Sequence, residues 1–215
     1  MFIGHFGVAY FVKKKQPDIP LWLLFISVFL LDFIGSIFFL SGIESATLNS
    51  TFGTNIFLQI KANIQYSHSL MGSMIISIIC FIIFWKVKKR NWAWIIPLCI
   101  ISHWLLDLIV HISDLTIFFN NNIRLGFGLY RHLILEYIFE ILLLVSGWLF
   151  LGNKNTISVI TIAIMVALFS MTIFAKQPEF IQKHFFTFMS IMVFLSGLLF
   201  FYLANLWEKR IIKMN

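Results

Sequence analysis

Charge is what this sequence has least of. Only 12% of its 215 residues are charged and 60% are hydrophobic, a balance that no soluble domain of this length keeps in solution. Acid is scarcer than base, with 9 Asp and Glu against 16 Lys and Arg. Cysteine is nearly absent. Cys80 and Cys99 both fall in apolar runs, so neither a disulfide framework nor a cysteine-based zinc site is indicated. No Lys or Arg lies deep within an apolar run, so an acid placed there has no cationic side chain to pair with.

Long hydrophobic runs are what the sequence has most of. They occupy 21–41, 66–85, 92–112, 132–151, 157–175 and 185–206. Crossing a hydrocarbon core of about 30 Å takes about 20 helical residues, and each run has roughly that number. The expected fold is all-α: one polytopic membrane domain, residues 1–215, with six transmembrane helices. Polar groups concentrate in 1–150, and 151–215 reads as two apolar scaffold helices. The opening "MFIGHFGVAYFV" is too short to span, and its lysines follow the apolar core, the reverse of a secretory signal. A short retained helix, re-entrant or interfacial, is expected there.

With the N-terminus inside, the segments 13–20, 86–91, 152–156 and 207–215 hold 11 of the 16 basic residues. That bias fits the positive-inside rule with both termini cytoplasmic. It also accounts for the net charge of +7 without a nucleic-acid partner. Trp85, Trp92, Trp94 and Trp207 fall at run ends, where aromatic belts are expected, so membrane lipids are the partners implied.

Four acids break the apolar pattern: Asp32, Asp107, Glu136 and Glu140. An ionised side chain at a helix centre costs about 2.5–3.5 kcal/mol on insertion scales. Histidines accompany them. "SHWLLDLIVHISD" sets His103, Asp107 and His111 at four-residue spacing, one stripe of a helix, and His132, Glu136 and Glu140 repeat it. "YSHSL" puts His68 near the start of the second run, and "LLDFIG" puts Asp32 near the middle of the first. A lone membrane histidine more often bonds between helices than binds a metal. Repeated stripes converging on one cavity in the outer half of the bilayer point instead to a bound cation. Neutral imidazole with carboxylate suits a divalent metal, zinc first among them. The outer segments 42–65, beginning near Glu44, and 113–131, beginning near Asp114, are long enough to act as lids over that cavity.

Taken in order, "GHFGVAYFVKKK", "LLDFIG", "SGIE", "YSHSL", "SHWLLDLIVHISDL" and "LGFGLY" resemble a family of small bacterial membrane-bound metal-dependent hydrolases, which includes the YdjM-like inner-membrane proteins. The resemblance covers roughly residues 1–150. It implies a bacterial cytoplasmic membrane, a metal, and a site of His5, Asp32, His68, His103, Asp107 and His111, followed by Asp114, Glu44 and Glu140. This chain has "NIQYSHS" where the better-known branch has a basic–glycine pair before its "THS". His132 and Glu136 have no counterpart in the resemblance and rest on spacing.

Two functions of different class follow. In the first, His68, His103, Asp107, His111 and His5 hold the metal and Asp32 or Glu140 serves as general base for hydrolysis of a lipid-like or phosphoester substrate. Asp114, Glu44, His132 and Glu136 then orient ligands or touch substrate. In the second, the intramembrane carboxylates carry protons or cations through a coupled permease. The chain has no evident internal repeat, and its polar groups gather on one side, which favours chemistry over alternating access. A structural metal in a membrane scaffold is a third, weaker reading.

Overall fold

A computed structural model describes residues 1–48, 60–119, 123–152, 154–174 and 184–214. Residues 49–59 and 175–183, the latter with Lys176, Lys183 and all of "KQPEF", lie outside the described residues. Among the described residues, seven α-helices make up most of the structure: α1 (Gly4–Lys15), α2 (Leu21–Leu40), α3 (Leu70–Lys86), α4 (Arg90–Val110), α5 (Leu133–Leu151), α6 (Thr156–Phe174) and α7 (Phe185–Met214). Two small antiparallel pairs join them, β1 (Ser45–Leu48) with β2 (Ile60–Asn63) and β3 (Leu115–Thr116) with β4 (Arg124–Leu125).

Five helices, α2, α4, α5, α6 and α7, are long and apolar enough to cross a membrane. Large apolar side chains such as Leu98, Leu105, Leu142 and Met171 project outward from them, as lipid contact requires. The run 66–85 gives a shorter helix of 17 residues. Its start is delayed because Ser69, in extended conformation, caps it by accepting from the Gly72 amide. The resulting α3 is about 25 Å long.

The N-terminal helix is drawn into the middle of the bundle. Gly4, His5, Phe6, Gly7, Ala9 and Tyr10 of α1 are all buried. Two glycines allow this, because a Cβ on Gly7 would lie 2.2 Å from the Leu143 carbonyl oxygen and one on Gly147 would lie 2.3 Å from that of Gly7. Backbone packs directly on backbone between α1 and α5, the use to which membrane helices put small residues. On its other side Phe6 meets the rings of Phe25, Phe29 and Phe200 at 4.8, 5.2 and 5.4 Å between centroids. The first turn of α1 has no capping side chain of its own. Glu140 of α5 supplies one from outside, its carboxylate accepting from the amides of Phe2 and Gly4. A carboxylate at a helix N-terminus meets both the unpaired N–H groups and the positive end of the dipole.

At the opposite end of α1, Lys13 pairs with Glu208, which also accepts from the Leu21 amide. Glu208, which sequence alone suggests is solvated, thus ties the ends of α1, α2 and α7. Trp207 is likewise fully buried, its ring 5.3 Å from that of Tyr10, so it belongs to the core and not to an aromatic belt.

Candidate metal centre

α1, α2, α4 and the turn before α3 each send polar side chains to one place in this apolar bundle. His5 comes from α1, Asp32 from α2, His103 and Asp107 from α4, and His68 from the turn. Donor atoms of His5, His103 and Asp107 all lie within 4.8 Å of one another, and so do those of Asp32, His68 and His103. Both sets could hold a metal ion, and His103 belongs to both.

Four of the five residues make a compact frame. His68 Nε2 stands 3.2 Å from Asp32 Oδ1 and 3.8 Å from Asp107 Oδ2. His103 Nε2 stands 3.2 Å from Asp107 Oδ2 and 3.8 Å from Asp32 Oδ1. Zinc bonds of about 2.0–2.1 Å imply ligand-to-ligand separations of roughly 3.3 Å, and the two 3.2 Å contacts, His68 with Asp32 and His103 with Asp107, are close to that.

The surrounding hydrogen bonds decide which ring atoms face inward. His103 Nδ1 lies 2.7 Å from the Val28 carbonyl oxygen. A carbonyl only accepts, so Nδ1 carries the hydrogen, and Nε2 of the neutral ring presents a lone pair. His68 is oriented by a longer chain of bonds. Glu44 accepts from the amides of Tyr66 and Ser67 and, at 2.6 Å, from the Ser67 hydroxyl. The Ser67 oxygen, its hydrogen committed to Glu44, then faces His68 Nδ1 at 2.7 Å as an acceptor. Nε2 of His68 is therefore also a lone pair. Two imidazole lone pairs and two carboxylates meet with no donor among them. Only a cation, proton or metal, relieves that arrangement.

Local sequence explains why His68 can sit where it does. Ser67 orients the ring, Ser69 caps α3, and Trp104 Nε1 donates to the His68 carbonyl at 3.0 Å, pinning the backbone between them. Gly35, one turn beyond Asp32, leaves room for the ring, since a Cβ there would come within 3.1 Å of His68 Cε1 and of Ser67 Oγ. Sequence reasoning singled out His68 and passed over Ser67 and the Val28 carbonyl. The serines flanking the histidine in "YSHSL" were the available signal for Ser67, whereas a backbone carbonyl leaves none.

His5 lies flat against His103, ring centroids 3.7 Å apart, with Nε2 3.4 Å from Asp107 Oδ1. Neither His5 ring nitrogen has a hydrogen-bond partner among the described residues. The Met1 nitrogen donates to the same Asp107 oxygen at 2.6 Å and to the Tyr130 hydroxyl at 2.9 Å.

The remaining candidates are placed elsewhere. α4 ends at Val110, and His111 takes extended backbone there, so the four-residue stripe is broken after Asp107. His111 turns instead to Asp114, with Nδ1 2.8 Å from Oδ1. Burial tends to raise the Asp114 carboxyl, but the charge and hydrogen bond of His111 hold it below the usual carboxylate range. Glu140, the other candidate general base, accepts from the Phe2 and Gly4 amides at the start of α1. Glu136 is fully buried with no hydrogen-bond partner to either oxygen among the described residues. His132 precedes α5 as its N-cap residue and is exposed, whereas Glu136 and Glu140 are buried. No family model, no curated protein and no solved structure matches this chain.

Proposed function

We propose that the protein is a membrane-embedded metal-dependent hydrolase of phosphoesters, with His68, His103 and Asp107 as the metal-holding residues and Asp32 beside them. The observation that carries this reading is that His68 Nε2 and His103 Nε2 each stand 3.2–3.8 Å from an oxygen of Asp32 and an oxygen of Asp107, with the histidine tautomers set from outside. Oriented imidazoles and hydrogen-bonded carboxylates are what a bound divalent ion requires of its surroundings. Two imidazoles and one carboxylate suit zinc and leave a fourth position open for water, and the motif resemblance to membrane-bound hydrolases points the same way.

A bound zinc ion would lower the pKa of a water and polarise a phosphoryl oxygen. Asp32 Oδ2 has no hydrogen-bond partner among the described residues and is the base for that water. As the water oxygen bonded to phosphorus, its proton would pass to Asp32, and as the ester P–O bond broke, Asp32 would return that proton to the departing oxygen.

The topology that suits this site has α3 as a sixth crossing, α1 entering from the inner face and both termini cytoplasmic in a bacterial inner membrane. Asp32 stands eleven residues past Leu21, about 16 Å along α2, which sets the cluster from the midplane outward.

The test is metal content by mass spectrometry on purified protein, wild type beside His103→Ala. About one equivalent of zinc or another divalent ion, lost in the variant, is expected, with hydrolysis of a phosphoester panel lost in parallel. A folded wild-type protein that stays metal-free after zinc is added overturns the reading. That result favours the proton- or cation-coupled permease, for which buried, unpartnered Glu136 is the supporting observation, and proton-flux assays follow.

A further inference from the structure

The cluster is sealed on most sides. Side-chain exposure is 0–2% for His5, His103 and Asp107, 9% for His68 and 17% for Asp32. A molecule reaching the cluster therefore arrives by way of Asp32 and His68. Both line one pocket, a cavity of about 160 Å³ between α2 and α7. Its other walls are mainly apolar, with Phe39 from α2 and Phe186, Met189 and Val193 from α7. These four residues are half-buried, so among the described residues the pocket opens on the outer surface of the bundle between two apolar helices.

Position and size together specify the ligand. The mouth lies on a surface made for hydrocarbon, where a water-soluble ester is scarce and a membrane amphiphile is abundant. A cavity of about 160 Å³ takes a benzene-sized group, far less than the roughly 300–1,000 Å³ of sites that engulf a small molecule. It has room for a headgroup and the first part of a chain, and the rest of such a ligand would stay in the bilayer. The polar end of the pocket is the metal cluster, and the apolar end faces lipid.

We propose that this pocket is a lateral port: a phosphate-bearing lipid enters between α2 and α7, its phosphate at Asp32 and His68 and its chain along Phe39, Phe186, Met189 and Val193. The proposal rests on the metal reading above and names the substrate class of that site. It also gives α7 a role in recognition, although its sequence from Phe185 to Trp207 contains no Asp, Glu, Lys or Arg.

The test uses zinc-loaded full-length protein in detergent and a phosphatidic acid carrying a fluorescent acyl chain, with binding read by polarisation. Val193→Trp fills the port, Met189→Trp fills it from the next turn, and Leu195→Trp places the same ring on an exposed position of the same helix. Expected are lipid binding by wild type and by Leu195→Trp, loss on chelation, and binding about tenfold weaker in both port variants with zinc content unchanged. Equal binding in all four proteins overturns the port. So does inorganic phosphate that protects zinc from chelation in a wild-type protein that does not bind the lipid, which would make free phosphate the ligand. Zinc absent from wild type, read on the same samples, instead overturns the metal reading.

Discussion

Asp107 on α4 and Glu140 on α5 are both acids buried in apolar helices, and they face opposite kinds of neighbour. Asp107 meets the Met1 amino group and the imidazoles of His5, His68 and His103, and the ring hydrogens of His68 and His103 are committed elsewhere. Glu140 meets backbone amides, each delivering a hydrogen straight to the carboxylate. The first environment joins the acid to imidazole nitrogens that it shares with Asp32 and accommodates a cation among them. The second already satisfies its acid and uses it to hold a helix end. A buried carboxylate in a membrane helix is thus evidence of a partner, and the type of partner separates chemistry from assembly.

Replacing Glu140 gives the largest effect expected from this contrast. Glu140→Ala leaves the Phe2 and Gly4 amides without their acceptor, at about 1–3 kcal/mol for each buried group. Thermal unfolding in detergent should shift well downward while protein that remains folded keeps its metal. If Glu140→Ala instead loses metal without losing stability, the two acids have been assigned the wrong way round. Ser67→Ala tests the cluster side at a distance from the ligands. It breaks the Glu44–Ser67–His68 chain without touching a metal-holding atom, and residues in such positions typically contribute 10–100-fold to affinity, so about that loss is expected in a zinc competition titration. Unchanged affinity would mean that packing alone orients His68.

The smallest effect belongs to the His111–Asp114 pair. Because the folded-state pKa of Asp114 is depressed, its contribution to stability is complete above the ordinary carboxylate pKa and is lost as pH falls through the folded value. Asp114→Asn should therefore melt slightly below wild type near neutrality and match it in acid. The pair is partly exposed, so the gap is small. A gap that widens in acid would contradict the assignment.

Much of the site could be read in the linear chain, because intramembrane acids and histidines are expensive wherever they occur. Asp32, His68, His103 and Asp107 stood out for that reason. Four-residue spacing was a poorer guide at the ends of helices. It grouped His111 with His103 and His132 with Glu136, yet α4 stops at Val110 and α5 starts at Leu133, so spacing loses its meaning one residue further on. The charge-free stretch of α7 offered no chemical signal, since lining a pocket between helices requires shape and apolar surface and no ionisable group.

Composition alone determined that the chain forms apolar helices and that its few buried charges need partners, because both follow from the solvent a residue can tolerate. Tertiary structure decided which partners they found. Gly7 against Gly147 brings α1 into the bundle, and with it His5 reaches His103 and the Phe2 and Gly4 amides reach Glu140. Contacts between residues about a hundred or more positions apart depend on how closely backbones approach, and periodicity within one helix carries no record of that distance.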